Sequence, residues 1–240
     1  LELIKNNRLD DALNIFLELF KKDNKSSNIV LTISQIYLRK NNLVKTKIYL
    51  KKAIKINPRN EVALNNLGNI YLKSNQIKKA MEYYKKSSAS DQKYSTPVFN
   101  KAFIFEQMGN LEEAKRHYLK AIKLDKYKFE YYYKLSRIDE KFIKYADLNF
   151  IKDQINENKD LSSISKANGY FILAKGERAK KNITEEIKLL SKAHNSFFIL
   201  NENNKIIEKY WLDLIPKFLS NFKVIKSREK SSILSPIFVT

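Results

Sequence analysis

The chain has 240 residues, is 43% hydrophobic and carries four glycines, four prolines, no cysteine and a formal net charge of +20. That length and apolar content suffice for a sizeable core, and so few Gly and Pro residues favour helices over a turn-rich β-protein. Without cysteine there are no disulfides, thiolate nucleophiles or cysteine-based zinc sites, and His117 and His194 alone are too few and too far apart for a metal centre.

No run of about 18 apolar residues marks a membrane span. The lack of cysteine fits a reducing, cytoplasmic setting. The sequence begins at Leu1 rather than Met, and no signal-peptide pattern is visible in its first residues. The positive charge predicts attraction to anions, among them acidic peptides. Against that stands a lysine-rich solvated surface, as expected of a composition also rich in Asn and Ile. No nucleic-acid-binding motif accompanies the charge, so a specific nucleic-acid partner is not expected.

In chain order, the dominant signal is a match of the sequence to itself every 34 residues. Leu3, Tyr37, Tyr71 and Phe105 form one series, and Leu9, Leu43, Ile77 and Leu111 a second. Ala12, Thr46, Ala80 and Ala114 form a third, Phe16, Leu50, Tyr84 and Tyr118 a fourth, and Leu19, Ala53, Ser87 and Ala121 a fifth. A fixed period of this length marks stacked two-helix units, each unable to bury its apolar face alone. Residues 1–26 read as a partial unit, and 27–60, 61–94 and 95–128 as three complete ones. Asn60 is placed to cap a helix, Pro97 suits a first helical turn, Gly109 a turn between helices, and Asn110 with Glu113 a capping box.

After residue 128 the stride is lost. Helices are predicted at about 130–143, 146–157 and 162–180, within a stretch, 129–200, of degenerate units whose register returns from 167. An amphipathic helix over 201–225 follows, with Trp211 as a core anchor. Residues 226–240 read as a linker and a strand-like tail, Ile233 to Thr240, with no partner. The predicted fold is an all-α, right-handed solenoid of antiparallel helix pairs.

Within 61–94 the order Leu64, Leu67, Gly68, Tyr71, Ala80, Tyr84, Ser87 resembles the tetratricopeptide repeat, in which small residues let two helices approach and aromatics fill the gaps. The repeat-closing proline stands at Pro58 but is replaced by Gln92 and Lys126. The resemblance implies a concave face lined by the first helix of each unit, at the second, fifth, sixth, ninth, twelfth and thirteenth places. These are Leu31, Thr32, Gln35 and Arg39, then Asn65, Asn66, Asn69 and Lys73, then Phe99, Asn100, Phe103 and Gln107. Asn66 and Asn100, 34 apart, are expected to stack as a ladder offering donors and acceptors to a peptide backbone. Arg39 and Lys73 would favour carboxylates. A carboxylate clamp is not expected, because Leu31, Thr96 and Asn100 hold the places it needs for cations.

The segments "YYYKLSRI", "ADLNFIKDQI", "KANGYFILAKGERAKKNITEEIKLLSKAHNSF" and "SPIFVT", in that order, resemble bacterial proteins with a tetratricopeptide array ahead of a sulfotransferase domain. The resemblance implies that Pro236 to Val239 begin the strand leading into a Gly-x-Pro-Arg-Ser-Gly-Thr loop. That loop would bind 3′-phosphoadenosine-5′-phosphosulfate beyond Thr240, and the array would present a protein or acidic-peptide acceptor. No catalytic, cofactor-binding or metal-binding residue is assigned within the 240 residues. The alternative is a free-standing interaction module. Asn24-Lys-Ser and Asn182-Ile-Thr are glycosylation sequons in form only, and Glu185 and Glu186 are first-turn helix charges.

Overall fold

The computed structural model describes Leu3 and residues 7–144 and 146–198. The expected 201–225 helix with Trp211, the linker and the SPIFVT strand lie outside the described residues. Within them all regular structure is helical: eleven α-helices, a short 3-10 turn and no strand. Helix α1 is Leu9–Lys22. Three hairpins follow: α2 (Ser27–Arg39) with α3 (Leu43–Ile56), α4 (Glu61–Lys73) with α5 (Ile77–Ser90), and α6 (Thr96–Gln107) with α7 (Leu111–Leu124). Then come α8 (Phe129–Ile138), the 3-10 turn Glu140–Lys144, α9 (Leu148–Glu157), α10 (Ser163–Ala179) and α11 (Ile183–Phe198). Each helix packs on the next up to α8, which lies between α7 and α10, while α9 rests on α10.

The 34-residue period is written into the backbone at the turns. Asn7, Asn41, Asn75 and Gly109, each 34 residues after the last, all have positive φ, between 54° and 75°. The residue after each donates its N–H five residues back, as in Asn42 to the Tyr37 carbonyl and Gln76 to that of Tyr71, both 2.9 Å. This is the left-handed helix stop in which asparagine and glycine are tolerated. Side-chain caps start the helices: Ser26, Asn42, Asn60, Asn110 and Ser162 each accept from a backbone N–H three residues on.

Small residues set the helix spacing. A Cβ on Gly68 would lie 2.6 Å from Cε1 of the fully buried Tyr84. The rings between helices also recur at the period. Tyr37 stacks on Tyr49 and Tyr71 on Tyr83, both at 5.3 Å, and His117 takes the same place on Phe105 at 5.0 Å. Polar contacts tie successive helices: Ser27 Oγ of α2 donates to the Ala53 carbonyl of α3 and accepts from Nδ2 of Asn60, the cap of α4.

Beyond residue 128 the first helices keep the stride that the sequence obscures. Ser27, Glu61, Phe129 and Ser163 open helices 34, 68 and 34 residues apart, and Thr96 opens its helix one place late. What changes is the second helix. The expected 130–143 helix stops at Ile138, because Asp139 leaves helical geometry, accepts from the N–H of Lys141 and pairs with Lys115 at 2.6 Å. A 3-10 turn and the ten-residue α9 stand in for a full partner. Helix α9 approaches α10 closely, since a Cβ on Gly169 would lie 2.7 Å from Ile155 Cδ1.

Candidate peptide-binding groove

The first helices α2, α4, α6 and α8 line a depression of about 440 Å³. Leu50, standing where the next two units have Tyr84 and Tyr118, lines it beside Leu38, Ile70 and Leu72. Phe99 and Phe103 form the opposite wall.

Polar groups lie between these walls. Asn100 donates from Nδ2 to both Asn65 Oδ1, at 2.9 Å, and Asn69 Oδ1, at 3.0 Å. Asn69 Oδ1 also accepts from the Tyr84 hydroxyl at 2.7 Å, and Asn65 Nδ2 reaches Asn66 Oδ1 at 3.4 Å. Tyr84 needs this partner because its ring is buried, and burial drives its hydroxyl pKa strongly upward. Tyr118, one unit on, has Phe103 at the register place of Asn69 and donates instead to Glu106.

Behind the expected ladder positions Asn66 and Asn100 the fold holds a diagonal network. Asn65 and Asn69 are one helical turn apart on the same face of α4, so both carbonyl oxygens converge on the single Asn100 amide. Among the described residues, no group bonds Asn66 Nδ2, Asn69 Nδ2 or Asn100 Oδ1, and all three residues line the depression. They present donors and an acceptor to a ligand.

Of the residues singled out from sequence, Asn66, Asn69, Lys73 and Asn100 line the depression together with Gln35, Phe99 and Phe103. Asn65 is buried beneath it, 2% exposed. Leu31 is buried, and Thr32 bonds back to the Asn28 carbonyl. Arg39 and Gln107 are exposed at the ends of α2 and α6 and do not line it. Glu130 and Lys134 of α8, missed from sequence, complete the rim. Counting one more period from residue 95 reaches both, at the second and sixth places of the unit that starts at 129. Lys134 Nζ lies 5.1 Å over the Phe103 ring. Burial holds the Glu130 carboxyl above its ordinary range, against the pull of Lys134 and Lys128.

No three His, Asp or Glu side chains converge as metal ligands among the described residues, and none of the described helices is long and apolar enough to cross a membrane. His117 is a packing residue, with Nδ1 on the Glu113 carbonyl at 2.9 Å. The segments quoted for the sulfotransferase resemblance, apart from SPIFVT, form helices α8 to α11 of the stack.

Tetratricopeptide repeat family models match residues 49–82 and, separately, 28–60 and 98–128. No curated protein matches the chain in sequence. Among solved structures, PilF of Pseudomonas aeruginosa superposes with a TM-score of 0.61 at 12% identity, over 88% of this chain and 92% of that one. A tetratricopeptide repeat protein from Parabacteroides merdae gives 0.50 at 15% identity, over 89% and 94%. YrrB, described as a TPR protein with an unusual peptide-binding site, gives 0.47 at 13% identity over 81% and 96%, too loose a fit to compare grooves. The chain carries tetratricopeptide repeats stacked as an α-solenoid.

Proposed function

We propose that this chain is a protein-interaction scaffold that holds an extended, acidic peptide segment of a partner against the inner faces of α2, α4, α6 and α8. The observation that carries the reading is the depression itself. Apolar walls flank amide groups that the fold leaves unbonded, and Lys73 and Lys134 stand at the rim. Leucine and phenylalanine walls take an apolar side chain, while Asn66 and Asn100 meet backbone C=O and N–H groups irrespective of sequence. A net charge of +20 favours partners with carboxylates near that anchor.

The narrower reading makes this array the acceptor-presenting arm of a sulfotransferase using 3′-phosphoadenosine-5′-phosphosulfate. It is supported by the order of sequence segments over 129–240. The coding sequence after Thr240 tests it: a Gly-x-Pro-Arg-Ser-Gly-Thr continuation supports it, and a stop codon removes it.

The groove is tested by peptide binding to variants whose fold is verified by circular dichroism. Asn66→Ala removes one backbone contact, for which a net hydrogen bond of roughly 0.5–1.5 kcal/mol predicts about a two- to tenfold loss of affinity. Phe103→Ala opens the wall and weakens binding further. Asn100→Ala is the wrong probe, because it strips the buried Asn65 of its partner and costs stability as well. Unchanged affinity in both Asn66→Ala and Phe103→Ala contradicts the reading.

A further inference from the structure

We propose that the groove continues past the depression into a carboxylate-binding subsite made by Lys175 of α10 and Arg137 of α8 beside the Tyr133–Phe171 ring pair. The proposal rests on the peptide-groove reading and adds a ligand chemistry to it. Counted from 129 and 163, Tyr133, Arg137, Phe171 and Lys175 fall at the fifth, ninth, ninth and thirteenth places. In the preceding units those places supply Phe99, Asn69, Phe103 and Lys73 to the depression.

Lys175 is held in place before any ligand arrives. Its half-buried Nζ donates to the Ser136 carbonyl at 2.9 Å and to Ser136 Oγ at 3.0 Å, and lies 5.6 Å from the Tyr133 ring centre. Tyr133 in turn packs on Phe171 at 5.4 Å. Both acceptors on the ammonium are neutral, so one of its three donors and its whole charge remain unanswered. Among the described residues no carboxylate lies within ion-pair distance of it. Glu140 acts on it only from further off, while Arg137 and Arg178 add like charge. Arg178 is engaged by Glu186 at 2.6 Å, whereas Arg137 is exposed and forms no ion pair among the described residues.

A half-buried cation supported by neutral dipoles and surrounded by like charge is a liability for the free protein. Burial and the neighbouring arginines accordingly hold the Lys175 pKa below the ordinary lysine value. An incoming carboxylate supplies the missing countercharge to a side chain already fixed in position, so little ordering opposes binding. The carboxylate can be an Asp or Glu side chain or the C-terminus of the peptide, laid against the Tyr133 and Phe171 rings.

The test is selection of a random 12-residue peptide library on the full chain, followed by titration of the best synthetic peptide. The expected peptides carry an aliphatic or aromatic anchor with a carboxylate at a fixed distance from it. Lys175→Met should weaken the best peptide about tenfold or more, and Lys175→Arg should recover most of that. Replacing the peptide's acidic residue by its amide isostere, or amidating its C-terminus, should cost a similar factor. Whichever replacement does so identifies the source of the carboxylate, and Lys175→Met should then have almost no further effect. Should Lys175→Met fail to fold, the exposed Arg137→Gln provides the same cycle. If the Lys175 and carboxylate changes simply add, while Phe103→Ala still weakens binding, the subsite is wrong and the groove stands. If no peptide is enriched, both are overturned.

Discussion

Asn100 shows what a single amide does at the inner face. Its two N–H groups are spent on Asn65 and Asn69, so it joins α6 to α4 and offers only its carbonyl outward. A residue chosen from sequence as a ligand contact is thus also a structural tie. A helix face repeats every turn, so the Asn100 side chain reaches both Asn65 and Asn69 on the neighbouring helix. His117 tells the converse story. It occupies the ring place of Tyr49 and Tyr83, stacked on Phe105. Burial, assisted by Lys101 and Arg116 and opposed by its bond to the Glu113 carbonyl, holds its pKa below the ordinary imidazole value. Burial does the same to His194. As pH falls, the unfolded chain therefore takes up these protons first. Their stabilisation is complete above the unfolded value of about 6.5 and is lost as pH drops through the lower folded values. Urea midpoints should accordingly decline as pH falls through and below about 6.5. His117→Tyr, restoring the residue of the earlier units, should fold and show a shallower decline. An identical decline in the variant would mean that His117 does not titrate differently in the two states.

At the level of the helix pair, stability rests on stops as much as on packing. The αL positions at Asn41, Asn75 and Gly109 end the first helix of each hairpin and release the chain into the second. Asparagine tolerates that conformation and alanine does not. Asn75→Ala should therefore lower stability by about 1 kcal/mol, as read from chemical denaturation, whereas Asn75→Gly should be close to neutral. Equal losses in both would place the role of Asn75 in its side-chain contacts. These turn residues mark the three hairpins; beyond 128 the helices at about 146–157 and 162–180 were legible, matching Leu148–Glu157 and Ser163–Ala179, but their pairing was not. At the corresponding places beyond 128 stand Ile143 and Glu177, and neither announces a turn. The last hairpin instead turns at Lys181, because α10 runs to 17 residues. Three consecutive tyrosines, 131 to 133, further blur the apolar period of α8. With the period of α8 blurred in this way, Glu130, Lys134 and Lys175 were not counted into the groove, although α8 opens in register at Phe129. The depression was hidden for a different reason: Leu50 fitted the apolar series, and only the structure shows it lining an open volume.

For the whole molecule, the question is which face the positive charge serves. The outer helix α3 has five lysines and no acidic residue, and Lys45, Lys47 and Lys52 lie over the rings of Tyr37, Tyr71 and Phe20. Val44 and Ile48 are exposed on the same helix, at 73% and 57%. A polyanion drawn by charge alone would settle there, since the outer face has the higher density of cations. The inner face has fewer cations but adds apolar walls and unbonded amides, which convert attraction into a defined pose. Amide chemical-shift mapping of the full chain with a selected acidic peptide separates the two directly. The account predicts shifts concentrated on α2, α4, α6 and α8, centred on Asn66, Asn100 and Phe103, and largely retained at 0.3 M salt. Shifts confined to α3, α5 and α7 that vanish with salt would contradict it.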